Sequence, residues 1–269
     1  MMRLLFFVLA GGLVLLAACG GSDAEEADDA TPEATSQATA EVTAEATPPA
    51  TPAWAGLQAD PAAALAEMVL TKEDLPPSLS WLEPVENPPE ALQPIIAPQR
   101  DPLTMNGLPW RPGSSGPLSS SPWEASAFVG SDGGVWLWSF VTLPTDTDTL
   151  SAVRRVLNQA NQLDVAQLRL DIWDSFLQEE LPLKPETVSI GGAEGLGNVR
   201  FSYNLALRNV ETAEEYQVEG YAFTRGPAFA VVMVVYRPGA LTQDSGIYLA
   251  LTLDEKVRQT LQAAGLLEA

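Results

Sequence analysis

The alternation of apolar and polar residues predicts strands and helices from residue 60 onward. Strand patterns of period two and helical patterns of period three to four are separated by Gly, Pro and Asn turn residues. The predicted strands span residues 80–85, 124–129, 135–142, 198–208, 214–224 and 228–236. The predicted helices span residues 61–69, about 146–162, about 164–180 and about 252–264.

The two most apolar of these strands are expected at the centre of a sheet. Trp136, Trp138 and Phe140 alternate with aliphatic residues along one strand, and residues 231–235 of the other are continuously apolar. The order of hairpin, two helices, three-strand meander and helix predicts the α+β class. We expect an antiparallel sheet of five or six strands, with the helices packed on one face.

The segment 86–122 carries no helical or strand period and is rich in Pro, Gly and Ser. Long loops of this kind in a domain are often functional. Within it Trp110 precedes Arg111, a pairing of the side chains most enriched at binding hot spots. Trp110 and Arg111 are therefore the best candidates for binding residues, although packing of Trp110 onto the core is favoured. The same two interpretations apply to Trp54 and Trp81, which also lie outside the strongly periodic segments.

The N-terminus has the pattern of a secretory signal. Arg3 precedes an apolar run of about 15 residues, which is shorter than the roughly 20 that a membrane span requires. The run ends in Leu16-Ala17-Ala18-Cys19, which resembles the lipobox of bacterial lipoproteins. That resemblance implies removal of residues 1–18 and attachment of fatty acyl chains, such as palmitate, at Cys19. An uncleaved anchor helix is the alternative.

Residues 19–53 are predicted to be a disordered tether. After Cys19 this segment consists mostly of Ala, Thr, Glu, Pro and Asp, with no aromatic residue, so it has too little apolar surface to form a core. The remaining residues, 54–269, are sufficient for one globular domain. The expected organisation is a signal peptide, a lipidated tether and one α+β domain containing the Pro-rich loop.

Composition narrows the possible chemistry. The net charge is −21, which disfavours binding to nucleic acid, and the chain has no histidine and one cysteine. Serine and cysteine catalysis that depends on histidine is therefore excluded, as are zinc sites that contain histidine. No catalytic residue, metal ligand or cofactor is predicted.

Three local patterns have both a chemical and a structural interpretation. The glycine-rich stretch 191–197 resembles a phosphate loop but lacks the Lys-Ser/Thr ending, so a turn is favoured. The pairs Glu179-Glu180 and Glu214-Glu215 suggest carboxylates for glycoside hydrolysis, although a solvated surface is favoured. The aromatic residues of the strand 135–142 suggest an apolar pocket, although a core position is favoured.

The order of elements and the meander containing Tyr216, Phe223-Thr224-Arg225-Gly226 and Val231 resemble PsbP-like domains and related lipoproteins of actinobacterial type. The resemblance implies an antiparallel sheet and no shared catalytic set. We expect a lipid-anchored protein at the outer face of the cell membrane that binds a ligand or an envelope protein without catalysis. The alternatives are a cell-wall glycan hydrolase that uses carboxylates and an assembly subunit without a pocket.

The lipobox interpretation predicts that the Cys19→Ala variant accumulates as an unprocessed precursor, because the acyl acceptor is missing. Intact-mass measurement should show the full signal sequence and no added lipid. Wild-type protein should show cleavage before Cys19 and the mass of the acyl chains. Detergent partitioning of the variant at the mature mass would contradict the prediction.

Overall fold

The structure, a computed structural model, describes residues 57, 60–86, 118, 121–178, 180–191, 193–242 and 245–268. Within them, seven antiparallel strands form one sheet in the order β1-β2-β3-β7-β6-β5-β4. The strands are β1 (Glu83–Pro84), β2 (Trp123–Val129), β3 (Val135–Thr142), β4 (Leu183–Gly191), β5 (Val199–Asn209), β6 (Glu215–Arg225) and β7 (Ala228–Tyr236).

Four α-helices accompany the sheet in the described residues, which confirms the α+β class. They are α1 (Pro61–Met68), α2 (Thr147–Ala160), α3 (Val165–Gln178) and α4 (Ser245–Ala263). Aspartates cap the first two helices: Asp60 accepts from the backbone N–H groups of Ala62 and Ala63, and Asp146 accepts from Thr149 N at 2.6 Å.

The helices cover both faces of the sheet, so the expectation that they pack on one face is wrong. α1 and α4 pack on one face, through residues such as Leu65 and Leu253. α2 and α3 pack on the other, through residues such as Leu157 and Phe176. The reason is visible in β7, where all nine residues are buried because both sides of the strand are apolar. A strand of this composition requires cover on both faces.

The sheet also has seven strands instead of the expected five or six, and β4 is the strand that the sequence did not predict. Pro185 lies within it, and the pairing with β5 shifts register between Pro185 and Thr187. Proline is tolerated in a strand at an edge or a bulge, and β4 provides both. Gly191 of the glycine-rich stretch ends β4, and residues 193–197 lie in the turn between β4 and β5, as favoured from the sequence.

Helix α4 begins at Ser245, several residues before the predicted start at Thr252. Thr252 is inside the helix, where its hydroxyl donates to Tyr248 O at 3.0 Å. Residues 252–255 have the sequence pattern of a capping box, but they lie inside the helix and do not cap it. The apolar residues that precede Thr252 are the ones that anchor the helix, since Leu249 is fully buried.

A buried ion pair fastens α4 to the end of β6. Arg225 Nε donates to Asp254 Oδ1 at 2.8 Å, and Arg225 Nη2 donates to Asp254 Oδ2. Gly197 N also donates to Asp254 Oδ2, at 3.1 Å. The side chain of Asp254 is 6% exposed. Hydrogen bonding to this carboxylate raises the pKa of Arg225. One carboxylate therefore connects α4, β6 and the β4–β5 turn.

A second pair joins α4 to the segment after α1. Lys256 Nζ lies 2.5 Å from Asp74 Oδ2, and Thr71 donates to the same oxygen through its backbone N–H and its hydroxyl. Burial alone would raise the pKa of Asp74, but these hydrogen bonds outweigh it and hold the pKa below its ordinary value. The contact fixes the relative position of the elements that cover this face of the sheet.

The Asp254→Ala variant should lose about 3 kcal/mol of unfolding free energy, because it leaves Arg225 without its partner in a largely buried position. Urea unfolding of the full chain measures the loss. Glu255→Ala, which removes the exposed bridge to Arg258, is the matched control and should change stability little. Similar effects of the two substitutions would show that the buried pair does not anchor α4.

Candidate functional site

Four aromatic rings form a continuous ladder on the α2/α3 side of strands β2 and β3. The ring centroids of Trp136 and Trp138 are 6.4 Å apart, and those of Trp138 and Phe140 are 5.6 Å apart. Trp123 extends the ladder from β2, with its centroid 6.1 Å from that of Phe140. The alternation of β3 places three of these rings on one face, and antiparallel pairing brings Trp123 beside them.

Burial divides the ladder into a core part and an open part. Trp136 and Phe140 are 0% and 1% exposed, so the core interpretation is correct for them. Trp138 is half-buried, and Trp123 is 48% exposed. α2 packs mainly against β5 and β6, and α3 packs against β4. Neither helix has its main contacts with β2, which explains why the end of the ladder at Trp123 is exposed to solvent.

The face of β2 beside the open rings is shallow. Ala125 and Ala127 lie on the same side of the strand as Trp123, and they oppose Phe140 and Trp138 of the ladder. Their short side chains leave the Trp123 and Trp138 rings as the raised borders of this surface. We call the surface formed by Trp123, Ala125, Ala127 and Trp138 the Trp123 face.

Among the described residues, part of the backbone edge of β2 beside the Trp123 face has no neighbouring strand. Gly130 N donates to Val135 O at one end of β2, and Leu143 N donates to Pro122 O at the other. Because hydrogen-bonded positions alternate in an antiparallel pair, the even-numbered residues of β2 direct their backbone groups toward β3. The odd-numbered residues direct their backbone groups away from β3. Of these, Ala127 O accepts from Val85 N at 3.0 Å, because β1 runs beside this end of β2.

Trp123 and Ala125 have no strand beside them in the described part of the chain, because β1 pairs only with the far end of β2. Ala125 N instead donates to the Glu124 carboxylate at 3.2 Å, a contact within one dipeptide. An exposed row of backbone donors and acceptors is a template for another extended chain. The edge and the aromatic face lie side by side.

Trp81, one of the tryptophans outside the periodic segments, is 40% exposed but has a structural contact. Its Nε1 donates to Ser78 O at 2.8 Å, and its ring lies over the hairpin turn at Gly130. A Cβ at Gly130 would be 2.3 Å from the Trp81 ring, so only glycine fits there. Trp81 therefore packs against the β2–β3 hairpin, which agrees with the packing interpretation and not with a free binding residue.

The other predicted site residues lie outside the described residues. This group contains Trp110, Arg111, Cys19 and Trp54, and their roles stay predictions. Trp123 was not predicted. The sequence does show that Trp123 follows Pro122 and shares a strand face with Ala125 and Ala127. Alternation alone cannot show which end of that face the helices leave uncovered.

The most deeply buried carboxylate on the sheet is Glu219 of β6, which is 3% exposed. It accepts hydrogen bonds from Tyr221 at 3.1 Å and from Tyr236 at 2.6 Å. Burial, followed by the hydrogen bond to Glu219, raises the pKa of Tyr236 well above its ordinary value. A Cβ at Gly246 would lie 2.1 Å from Glu219 Oε2, so α4 closes over the carboxylate. No substrate reaches an acid packed in this way.

The acids considered for hydrolysis are placed differently. Glu214 accepts from Tyr216 at 2.8 Å and pairs with Arg237 at 3.1 Å, while Glu215 and Glu180 are exposed and Glu179 lies outside the described residues. Asp254 is engaged by Arg225. In the described part of the chain, no cluster of three or more acidic, Cys or His side chains could hold a metal ion.

No protein-family model matches the sequence, and no curated protein matches it. Among solved structures, the fold is similar to the extracellular domain of PknH from Mycobacterium tuberculosis. The TM-score is 0.43 and the sequence identity is 9%, over 74% of this chain and 96% of that one. Within the described residues, none of the helices combines enough length and apolar character to cross a membrane.

Truncation should distinguish the two parts of the aromatic ladder. Phe140→Ala should cost about 3–5 kcal/mol of unfolding free energy, because it leaves a cavity in the core. Trp123→Ala should cost clearly less, since half of its surface is already in water. Urea unfolding compares the two. An equally large loss for Trp123→Ala would assign the ring to the core and remove the candidate site.

Proposed function

We propose that this protein is a lipid-anchored, extracytoplasmic binding module that captures an extended segment of another polypeptide along β2. The observation that carries the proposal is the open backbone edge at Trp123 and Ala125, directly beside an exposed aromatic face. Anchoring through Cys19 is part of the proposal and rests on the match of residues 16–19 to the lipobox.

An open strand edge recognises a polypeptide because its donors and acceptors repeat at the spacing of an extended backbone. A peptide paired with Trp123 and Ala125 would continue the position of β1 along β2. Every second side chain of that peptide would project over the Trp123 face, where flat apolar rings favour aromatic or aliphatic residues. Backbone pairing would supply affinity, and the rings would supply the preference for particular side chains.

Binding without catalysis is the function that the described side chains support. The two buried acids, Glu219 and Asp254, are held by donors of the protein itself. The two acids Glu214 and Glu215 lie at the surface at the start of β6. None of these groups forms a pair of carboxylates in an open cleft, which the hydrolase alternative requires.

The test uses the full chain, purified in detergent, and a display library of unstructured decapeptides. Selected peptides should contain alternating apolar residues. Ala125→Pro should weaken their binding at least about tenfold, because proline removes the outward N–H and blocks the edge. The N–H that is lost bonds only to Glu124, so the fold should persist and thermal melting should change little.

Two matched variants complete the experiment. Trp123→Ala should also weaken peptide binding, whereas Tyr248→Ala, which truncates an equally exposed aromatic residue on α4, should not. Ser126→Pro should instead destabilise the protein, because the backbone of Ser126 is bonded to β3. Selected peptides whose affinity is unchanged by both Ala125→Pro and Trp123→Ala would overturn the proposed binding site.

A further inference from the structure

Helix α3 has two apolar stripes, and the described part of the chain covers only one of them. The inner stripe faces the sheet through Leu168, Ile172 and Phe176. The outer stripe consists of Ala166, Leu170, Trp173 and Leu177. Leu170 is 54% exposed and Leu177 is 60% exposed, so long aliphatic side chains stand in water on a helix that is already anchored. In the core formed by the described residues, this second stripe has no part.

The spacing of the outer stripe is that of a helix pair. Its residues are separated by four, three and four positions, which is the a/d repeat of a coiled coil, with Leu170 and Leu177 at a and with Ala166 and Trp173 at d. Lys184 lies over the Trp173 ring, 5.1 Å from its centroid. This contact covers part of Trp173 from the side of β4 and leaves the leucines as the main exposed surface.

The charges beside the stripe define the orientation of a partner helix. Arg169 precedes Leu170 at position g, and Asp174 follows Trp173 at position e, so the two lie on opposite sides of the stripe. In a parallel pair of identical helices, position g of one helix faces position e of the other. Arg169 of each copy then faces Asp174 of the second copy, and the two-fold axis forms this pair twice. In an antiparallel pair of helices, Arg169 and Asp174 would lie on opposite sides of the contact and would not meet.

We propose that the outer stripe of α3 is a self-association surface, on which a second copy of this chain docks its own α3 in parallel. Both charged residues are exposed and available. Among the described residues, Asp174 makes no hydrogen bond or ion pair with its side chain. The side chain of Arg169 makes one long hydrogen bond, to Glu186 O at 3.4 Å. Two helices of this length bury a small area, so the dimer should be weak and concentration-dependent. The surface lies on α3 and is separate from β2, so the inference does not depend on the proposed binding function.

The experiment is sedimentation velocity of the full chain in detergent over a wide concentration range. Wild-type protein should shift from monomer to dimer as concentration rises. Leu170→Asp should abolish the shift, because it places a charge in the apolar contact. Leu251→Asp, at an exposed leucine of α4, is the matched control and should leave the shift unchanged. Thermal melting of each variant should stay close to wild type, since these positions are exposed.

Charge exchange tests the parallel geometry. Arg169→Asp and Asp174→Arg should each weaken the dimer about tenfold, because each replaces two attractive pairs with two repulsive ones. The double variant Arg169→Asp/Asp174→Arg should return the dissociation constant to within about threefold of wild type. Loss of a contact within one monomer would not be rescued in this way, which separates the proposal from a structural role even if Leu170→Asp fails to fold.

Two outcomes would overturn the proposal. One is a double charge variant that dimerises no better than the single variants. The other is wild-type protein that stays monomeric at every concentration; if Leu170→Asp then lowers binding to phosphatidylglycerol vesicles, the stripe is a lipid contact instead. Peptide binding at β2 should be unaffected by the α3 variants, so failure here is distinguishable from failure of the proposed function.

Discussion

The structure depends on the burial of its central strands from both sides. All nine residues of β7 are buried, and β3 beside it is buried at seven of its eight positions. A strand with apolar residues at odd and even positions exposes one apolar row unless layers cover both faces. This requirement accounts for the placement of α1 and α4 on one side of the sheet and α2 and α3 on the other.

The polar contacts align those layers without replacing the apolar burial. The Asp254 carboxylate receives Arg225 from the end of β6 and the backbone of Gly197 from the β4–β5 turn. Gly197 is required there, because it has a φ of 39° and a Cβ would lie 2.5 Å from Thr224 O. Lys256 and Asp74 join α4 to the segment after α1 in the same way. Directional contacts of this kind determine where α4 sits along the sheet.

The helices cover the central strands of the sheet and leave two kinds of exposed apolar surface, one on β2 and one on α3. On β2, β1 is the only described strand on that side and is short, so in the described part of the chain backbone groups at Trp123 and Ala125 have no neighbouring strand, and the Trp123 ring is exposed. On α3, the inner stripe satisfies the sheet while the outer stripe stays exposed. Both are apolar surfaces on an otherwise strongly acidic chain, and such surfaces are typical of contact with other molecules. They differ in what they recognise, since β2 offers a backbone and α3 offers only side chains.

Local sequence is enough to predict the elements whose periodicity is strong. The hairpin of β2 and β3, the meander of β5, β6 and β7, and the caps of α1 and α2 follow from local alternation and local hydrogen bonding. The absence of histidine is equally independent of the fold. Other features depend on packing between elements: β4 forms despite Pro185 because it is an edge strand with a bulge, and α4 starts early because Leu249 reaches the core. The same holds for the aromatic ladder, in which Phe140 and Trp123 are chemically similar but only Phe140 lies in the core. Periodicity specifies which residues share a face, whereas the packing of other elements specifies which part of that face is covered.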